Sequence, residues 1–332
     1  MVTLALDAMG GDHAPDEIIK GALIAVNTYN LSIILVGDLS IINPLYKESH
    51  PNITLKNATE VIEMHESPLA AYKQKKDSSI HVGLNLVKSG KANAFLSAGN
   101  TGAVMTASLF ILGRIPGVER PALASQIPTK KGHALMLDMG STVDCKPIHL
   151  EQFAIMGHFF STNVLHVNNP KVGLVNIGEE DEKGNQLYQQ AFEFLKSSNS
   201  LNFIGNVEGK DILFHKADVI VCDGFVGNTL LKFGEGLVEF ILGELKEGIK
   251  QSFVSTLGAM LLKPVFKRLK QRIDYEEYGG APLLGINGVS VVAHGKSTAK
   301  AINSAIGIAV ESVETNMIEK ISSAIQNEFK SD

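Results

Sequence analysis

The chain has 332 residues, 30 Lys and Arg against 35 Asp and Glu for a formal net charge of −5, and 45% hydrophobic residues. That balance suits a folded protein with a sizeable core and excludes a disordered chain. Mild acidity, 6% aromatics and the lack of Trp argue against a base-stacking surface for nucleic acid.

The chain opens Met-Val-Thr-Leu-Ala-Leu-Asp, without the basic start and apolar run of a secretory signal. Val2–Leu6 predicts a buried strand, Asp16–Asn27 a helix and Ile33–Val36 a second strand. Ile80–Lys88 again has helical spacing. From Ala92 to Gly113 there is no charge, yet Gly99 and Gly102 stand in the middle among Asn93, Ser97, Asn100 and Thr101. A membrane span should be apolar throughout, so this stretch reads as a strand at Ala94–Leu96, a turn, and a helix at Gly102–Leu112. Further strands are expected at Ala134–Leu137, Val172–Ile177, Val219–Cys222 and Val289–Ala293. Helices are expected at Leu150–Val164, Gln186–Leu195, Thr229–Lys250 and Ser297–Val313. Runs apolar on both faces suit parallel strands covered by helices, and the alternation predicts an α/β sheet with right-handed crossovers. No repeat or linker divides the chain, which favours one α/β unit over 1–332 with a helical excursion near 235–275.

Within that excursion, residues 248–273 carry Lys250, Lys263, Lys267, Arg268, Lys270 and Arg272 and no acid. Phe253, Leu257 and Leu261 recur at helical spacing, as do Leu262, Phe266, Leu269 and Ile273, with Pro264 marking a break between two short helices. Such a segment packs on a core or a second copy, lies in an anionic membrane surface, or grips an acidic partner. Leu257, Leu261, Lys263, Lys267 and Arg268 are the candidate contact residues.

Five apolar runs end directly in glycine with small polar or acidic residues. They are Asp7–His13 (DAMGGDH), Ser97–Gly102 (SAGNTG), Asp138–Thr142 (DMGST), Asp223–Asn228 (DGFVGN) and His294–Ser297 (HGKS). Any one of them is explained by turn and N-cap duty. Five at the carboxyl edge of one parallel sheet are expected to gather into an anion site, because helix N-termini and free N–H groups converge there. Standard nucleotide fingerprints fail. Gly234-Glu235-Gly236 lacks a third Gly at Glu239, and Ser290 stands where a P-loop ending in Gly295-Lys296-Ser297 needs Gly. A dehydrogenase or NTPase is therefore weakly supported. The ten His are scattered and the two Cys, Cys145 and Cys222, make neither a metal site nor a disulfide framework, which points to a reducing compartment. Cys145 lies four residues before His149, so an acyl-cysteine with a His base is an alternative chemistry.

Taken together, LDAMGGDHAP at Leu6–Pro15, SAGNTG, GRIPGVERP at Gly113–Pro121, DCKP at Asp144–Pro147, DGFVGN and EYGGAP at Glu277–Pro282 with His294-Gly295 resemble the bacterial fatty acyl-ACP:phosphate acyltransferase (PlsX-type) family. The resemblance runs from the first strand to about residue 310. One departure stands out: the family has Gly-Ala-Asn where this chain has Gly140-Ser141-Thr142, which puts an amide at position 142 in doubt.

The resemblance implies conversion of long-chain acyl-ACP and inorganic phosphate to acyl phosphate and free ACP, for phospholipid synthesis. It implies a three-layer α/β/α Rossmann-like fold related to phosphotransacetylases and isopropylmalate dehydrogenases, a homodimer and no cofactor or metal. It also implies a cytoplasmic enzyme at the inner face of the membrane, with the next acyltransferase of the pathway as a candidate partner. Phosphate is already anionic, so positioning and preorganised donors must supply the catalysis. The candidates for proton transfer or charge are His13, Asp223, His294 and Lys296. The candidates for substrate binding are Asp7, Gly10, Gly11, Asp12, Asn100, Thr101, Gly102, Asp138, Gly140, Asn228, Lys232, Gly279 and Gly280. A short-chain acyl-CoA:phosphate transferase and a non-enzymatic carrier-binding scaffold are the alternative functions.

Overall fold

The computed structural model describes residues 1–47, 49–273 and 279–329. Among these the strands are β1 (Val2–Asp7), β2 (Leu31–Gly37), β3 (Ile53–Asn57), β4 (Ala94–Ser97), β5 (Ala122–Leu123), β6 (Ser125–Thr129), β7 (Gly132–Leu137), β8 (Lys171–Asn176), β9 (Asn202–Glu208), β10 (Val219–Val221), β11 (Ala281–Leu284) and β12 (Val289–Val292). The helices are α1 (Asp16–Thr28), α2 (Leu39–Leu45), α3 (Pro68–Gln74), α4 (Ser79–Lys88), α5 (Thr101–Leu112), α6 (Pro147–Asn163), α7 (Gln186–Ser197), α8 (Gly209–Ile212), α9 (Gly224–Lys250), α10 (Phe253–Leu261), α11 (Lys263–Ile273), α12 (Ala299–Glu314) and α13 (Met317–Glu328).

The α/β architecture is the expected one, but the strands divide between two sheets. The first has the order β3-β2-β1-β4-β12-β11-β5 and the second β6-β7-β10-β8-β9. In the first, β3, β2, β1, β4 and β12 are mutually parallel, and β11 runs antiparallel to β12 and β5. In the second, β7, β10, β8 and β9 are parallel and β6 is antiparallel. Both sheets are covered on two faces. Leu4 and Leu6 of β1 join Ile18, Ala22, Ile302 and Ile306 from α1 and α12, while Ala5 between them joins Ile80, Leu84 and Ala103 from α4 and α5. Leu135 and Leu137 of β7 face Phe153 and Leu150 of α6, and Met136 faces the opposite layer. One apolar cluster runs continuously through residues of both sheets.

The sheets meet at the short β5. The Leu123 N–H donates to Asp138 Oδ1 at 2.9 Å, and the Met139 N–H donates to the Leu123 carbonyl at 2.9 Å. Leu123 is opposite Leu283 of β11. The carboxyl end of β7 thus adjoins the corner where β5 leaves the first sheet's carboxyl edge.

The helical excursion is present. In α9 only Gly224 and Gly227, at its start, are buried, and α10 buries none of its residues. The α10–α11 joint falls at Leu262, and Pro264 sits in the first turn of α11 rather than at the break. That position suits proline, whose missing N–H costs nothing there. The expected excursion ran to 275; residues 274 and 275 lie outside the described residues. Among the described residues no helix is long and apolar enough to cross a membrane.

Candidate functional site

The five glycine-bearing turns do not share one edge. Those after β1, β4 and β12 lie at the carboxyl edge of the first sheet, and those after β7 and β10 lie at the carboxyl edge of the second. Five turns on a single sheet was therefore wrong, because sheet membership depends on long-range pairing that local patterns do not carry.

In the first cluster the backbones come very close. The Asp12 N–H donates to the Gly295 carbonyl at 2.7 Å. A Cβ at Gly10 would stand 2.6 Å from Gly99 N and from Asp7 Oδ2; one at Gly11, where φ is +107°, would stand 3.1 Å from the Gly295 carbonyl oxygen. Only glycine allows that approach at Gly10 and that φ at Gly11. Three helices, α1, α5 and α12, begin just beyond these turns, so their positive ends share this edge. His13, Asp12, His294 and Lys296 are exposed on the same loops. His294 Nδ1 accepts the Lys296 N–H at 3.2 Å.

Asp7 is buried and fully engaged. Its Oδ2 accepts from Ser97 Oγ at 2.6 Å and its Oδ1 from the Met9 N–H at 2.9 Å; burial raises its pKa despite these bonds and a further one from Ser79. Ser97 in turn accepts the Gly99 N–H at 3.0 Å. Asp7 therefore ties two turns together.

Asn100 caps α5. Its Oδ1 accepts the Ala103 N–H at 3.0 Å, and its Nδ2 faces the carbonyls of Glu63, Met64 and Glu66 at 3.1 to 3.2 Å. The side chain expected in the anion cradle instead holds the 63–66 loop over the helix end. Thr101 and Gly102 keep backbone N–H groups with no partner among the described residues, as the first residues of a helix do. The 63–66 loop had no sequence signal; a Cβ at Gly295 would stand 3.4 Å from Met64 Cε. Lys75 pairs with Glu66 and braces this loop.

Gly279 and Gly280 enter β11 at this edge. A Cβ at Gly279, with φ +78°, would stand 2.9 Å from the Ser304 carbonyl oxygen, and one at Gly280 2.8 Å from that of Val292. Close packing on α12 and β12 is reason enough for both glycines. Glu277 and Tyr278, from the same motif, lie outside the described residues.

The second cluster is filled by its own side chains. Asp138, wholly buried, accepts on Oδ1 from the N–H groups of Leu123, Gly140 and Ser141 at 2.9 to 3.3 Å, and on Oδ2 from Thr142 at 2.6 Å. Burial pushes its pKa up to about 6 against the pull of these donors. The amide nest expected to take phosphate with Asp138 and Gly140 thus already holds a carboxylate. The Thr142 hydroxyl donates to the Pro121 carbonyl at 3.4 Å, a bond that anchors the turn. Asp223, expected in proton transfer, caps α9: its Oδ1 accepts the Val226 N–H at 2.9 Å and its Oδ2 the Tyr188 hydroxyl at 2.7 Å. Tyr188 is 35 positions away in sequence, and nothing local marks it. Asn228, exposed, stands beside Gly140; a Cβ at Gly140 would be 3.5 Å from Asn228 Cβ. Lys232 lies on the exposed part of α9, ion-paired with Glu235 at 2.8 Å.

Cys145 and His149 do not pair. The Cys145 thiol donates to the Thr142 carbonyl at 3.4 Å; burial and the carboxylates of Asp138 and Asp223 push its pKa to about 12. His149 Nδ1 accepts the Lys146 N–H, and its Nε2 meets Glu119 at 3.1 Å. A thiol so far from ionising is a poor nucleophile. Among the described residues one carboxylate trio, Glu179, Glu208 and Asp211, has metal-like spacing. Lys216 pairs with Glu179 at 2.6 Å and Lys210 with Glu208, so lysines already neutralise it.

Leu257 and Leu261 are 51% and 78% exposed on α10, and Lys263, Lys267 and Arg268 are exposed on α11. With Phe253 and Val254 they form an apolar face beside a basic one at the tip of the excursion.

This α/β arrangement is the fold of the phosphotransacetylases. A phosphotransacetylase from Streptococcus pyogenes superposes with a TM-score of 0.64 at 16% identity, covering 94% of each chain. A branched-chain phosphotransacylase from Enterococcus faecalis V583 gives 0.62 at 12%, covering 94% of this chain and 99% of its own. The family described as "Fatty acid synthesis protein" matches residues 2–320. Proteins named "Phosphate acyltransferase" from Pelotomaculum thermopropionicum and Heliobacterium modesticaldum are 48% and 51% identical, over 98% and 96% of this chain and 95% and 96% of theirs. The chain belongs to this family and is an acyltransferase.

Proposed function

We propose that the chain transfers a long-chain fatty acyl group from acyl carrier protein to inorganic phosphate, giving acyl phosphate and free carrier. The observation that carries the reading is the close approach of three strand-end turns at Gly10, Gly99 and Gly295, with the α5 N-terminus beside them. Backbone N–H groups at such an edge hold an oxyanion without a competing side chain. Gly10, Gly11, Thr101 and Gly102 line the phosphate, with His13 and Lys296 supplying positive charge. Asp12 fixes the turn through its N–H to Gly295, and Asp7 and Asn100 position the loops. The second cluster, with Gly140 and Asn228, faces the acyl donor, where Arg120 is close enough to act on Cys145 electrostatically.

A phosphate oxygen attacks the thioester carbonyl, forming the C–O bond. The tetrahedral oxyanion is held by N–H donors. It collapses with cleavage of the C–S bond, and the departing thiolate takes a proton from His294. No metal or cofactor enters this scheme. Residues 1–332 act as one catalytic unit, working as a homodimer in the cytoplasm. The exposed face of α10 and α11 rests on an anionic membrane and its bases dock the acidic carrier, handing acyl phosphate to the next acyltransferase.

The test is formation of hydroxylamine-trappable acyl phosphate from phosphate with long-chain acyl-ACP and, in parallel, short-chain acyl-CoA. Phosphate-dependent product from acyl-ACP is expected. Product from acyl-CoA alone would reassign the donor. Carrier binding without turnover would make the chain a scaffold.

A further inference from the structure

A polar cavity of about 330 Å³ lies at the opposite, amino edge of the second sheet. Lys131, on the turn from β6 into β7, and His133, at the start of β7, stand exposed at its mouth. Asp218, immediately before β10, and His215 line one side, and Ser161 and Leu165 at the end of α6 line another. The strands β7 and β10 run from here towards Asp138 and Asp223. At about 3.3 Å per residue, His133 and Asp138 are about 17 Å apart along β7, so this cavity is separate from both clusters.

Its frame is rigid. His215 sits at φ +62°, a left-handed conformation that costs a non-glycine residue energy unless its surroundings hold it. They do: Nδ1 bonds Thr129 Oγ1 at 2.8 Å and Nε2 bonds Asp218 Oδ1 at 3.0 Å. Asp218 Oδ2 accepts the Lys171 N–H at 2.8 Å. Both oxygens of that carboxylate are therefore occupied, and it shapes the wall.

Two groups are left for a ligand. Lys131 makes no ion pair among the described residues. Ser161 is 1% exposed, and its Oγ has no hydrogen-bond partner among the described residues. A buried hydroxyl in that state is rare and destabilising. A cation at the mouth, an unsatisfied hydroxyl in depth and the apolar side chain of Leu165 in the lining describe a receptor of a definite kind. We propose that this cavity binds a small organic oxyanion, a phosphate monoester or carboxylate on a short carbon body. The charged head meets Lys131 and a polar substituent reaches Ser161. A pocket of this size takes a small metabolite.

The test titrates the full-length protein calorimetrically with phosphoglycolate, malonate and inorganic phosphate. Lys131→Ala and Ser161→Ala are compared with the unaltered chain. At least tenfold weaker binding of phosphoglycolate or malonate is expected in both variants. Binding of phosphoglycolate but not malonate marks a phosphate head; binding of both marks a carboxylate head, since phosphoglycolate carries a carboxylate too. Removing an unpartnered hydroxyl should leave the Tm of the ligand-free Ser161→Ala protein equal or higher, which a purely structural serine would not do. Unchanged binding in both variants overturns the proposal. So does inorganic phosphate binding that Lys131→Ala weakens and that is as tight as that of phosphoglycolate, since the carbon body would then contribute nothing. Ligand density found only at the carboxyl-edge clusters in a phosphoglycolate soak overturns it too.

Discussion

The Asp138 carboxylate accepts the Thr142 N–H at 2.6 Å, and that contact closes the turn after β7 on itself. With Leu123, Gly140 and Ser141 also donating, one side chain joins the two sheets and fills an amide nest. Asp138→Ala orphans four N–H groups at once. At about 1–3 kcal/mol for an unmet buried donor, shared among groups that partly rehydrate, a loss of roughly 2–4 kcal/mol is expected in urea unfolding. Asp138→Asn should recover only part of it, since its NH2 would face an N–H donor.

Asn100→Ala removes both the α5 cap and the tether of the 63–66 loop. A capping side chain is worth about 1 kcal/mol, and that much stability should go. Hydrogen exchange of residues 60–66 should accelerate while the second sheet stays protected. The reaction should slow, because the helix end loses its cover.

Gly10→Ala places a methyl 2.6 Å from Gly99 N. Overpacking of this kind costs about 1–3 kcal/mol. Acyl transfer should fall about a hundredfold or more, with the KM for phosphate raised. Gly90→Ala is the control: no atom lies within 4 Å of the added methyl, but φ is +70°, so a small stability loss without a KM change is expected.

Glu151, on α6, is almost wholly buried; burial first and Glu328 second push its pKa up to about 7. Its folded pKa lies above the ordinary carboxyl value of 4.5. The protonated form is favoured in the fold, and its contribution to stability is lost as pH rises through about 7. Glu151→Gln should therefore raise Tm by about 2–4 °C at pH 8, with the gain vanishing towards pH 5 in thermal scans.

Leu257→Glu with Leu261→Glu puts two charges on the exposed face of α10, which buries none of its residues. Sedimentation with anionic vesicles should be lost while soluble turnover is retained. Continued sedimentation would show that this face is not the anchor. Acidic substitutions at Lys267 and Arg268 should raise the KM for acyl-ACP.

The central strands were legible because each is apolar on both faces: Val2–Leu6, Val172–Ile177 and Val289–Ala293 align with β1, β8 and β12 within one residue. The two-residue β5 and the short antiparallel β11 gave no comparable signal, and with them went the division into two sheets. The glycine turns were visible, and Gly10, Gly11 and Gly295 do meet. Hidden was the fate of the acids beside them. Asp7 and Asp138 look like strand-end substrate-binding groups, yet Asp7 is spent on the Met9 N–H and the Ser97 hydroxyl and Asp138 on four backbone N–H groups. Their partners, Ser97, Leu123 and, for Asp223, Tyr188, are 15 to 90 positions away in sequence.

The central claim is that phosphate binds at the first sheet's edge and not in the nest that Asp138 fills. A crystal soaked in phosphate tests it directly. Density between Gly10–Gly11, the α5 N-terminus and the 294–296 loop is the predicted result. Density seated on the N–H groups of Gly140, Ser141 and Thr142, with Asp138 displaced, would contradict it.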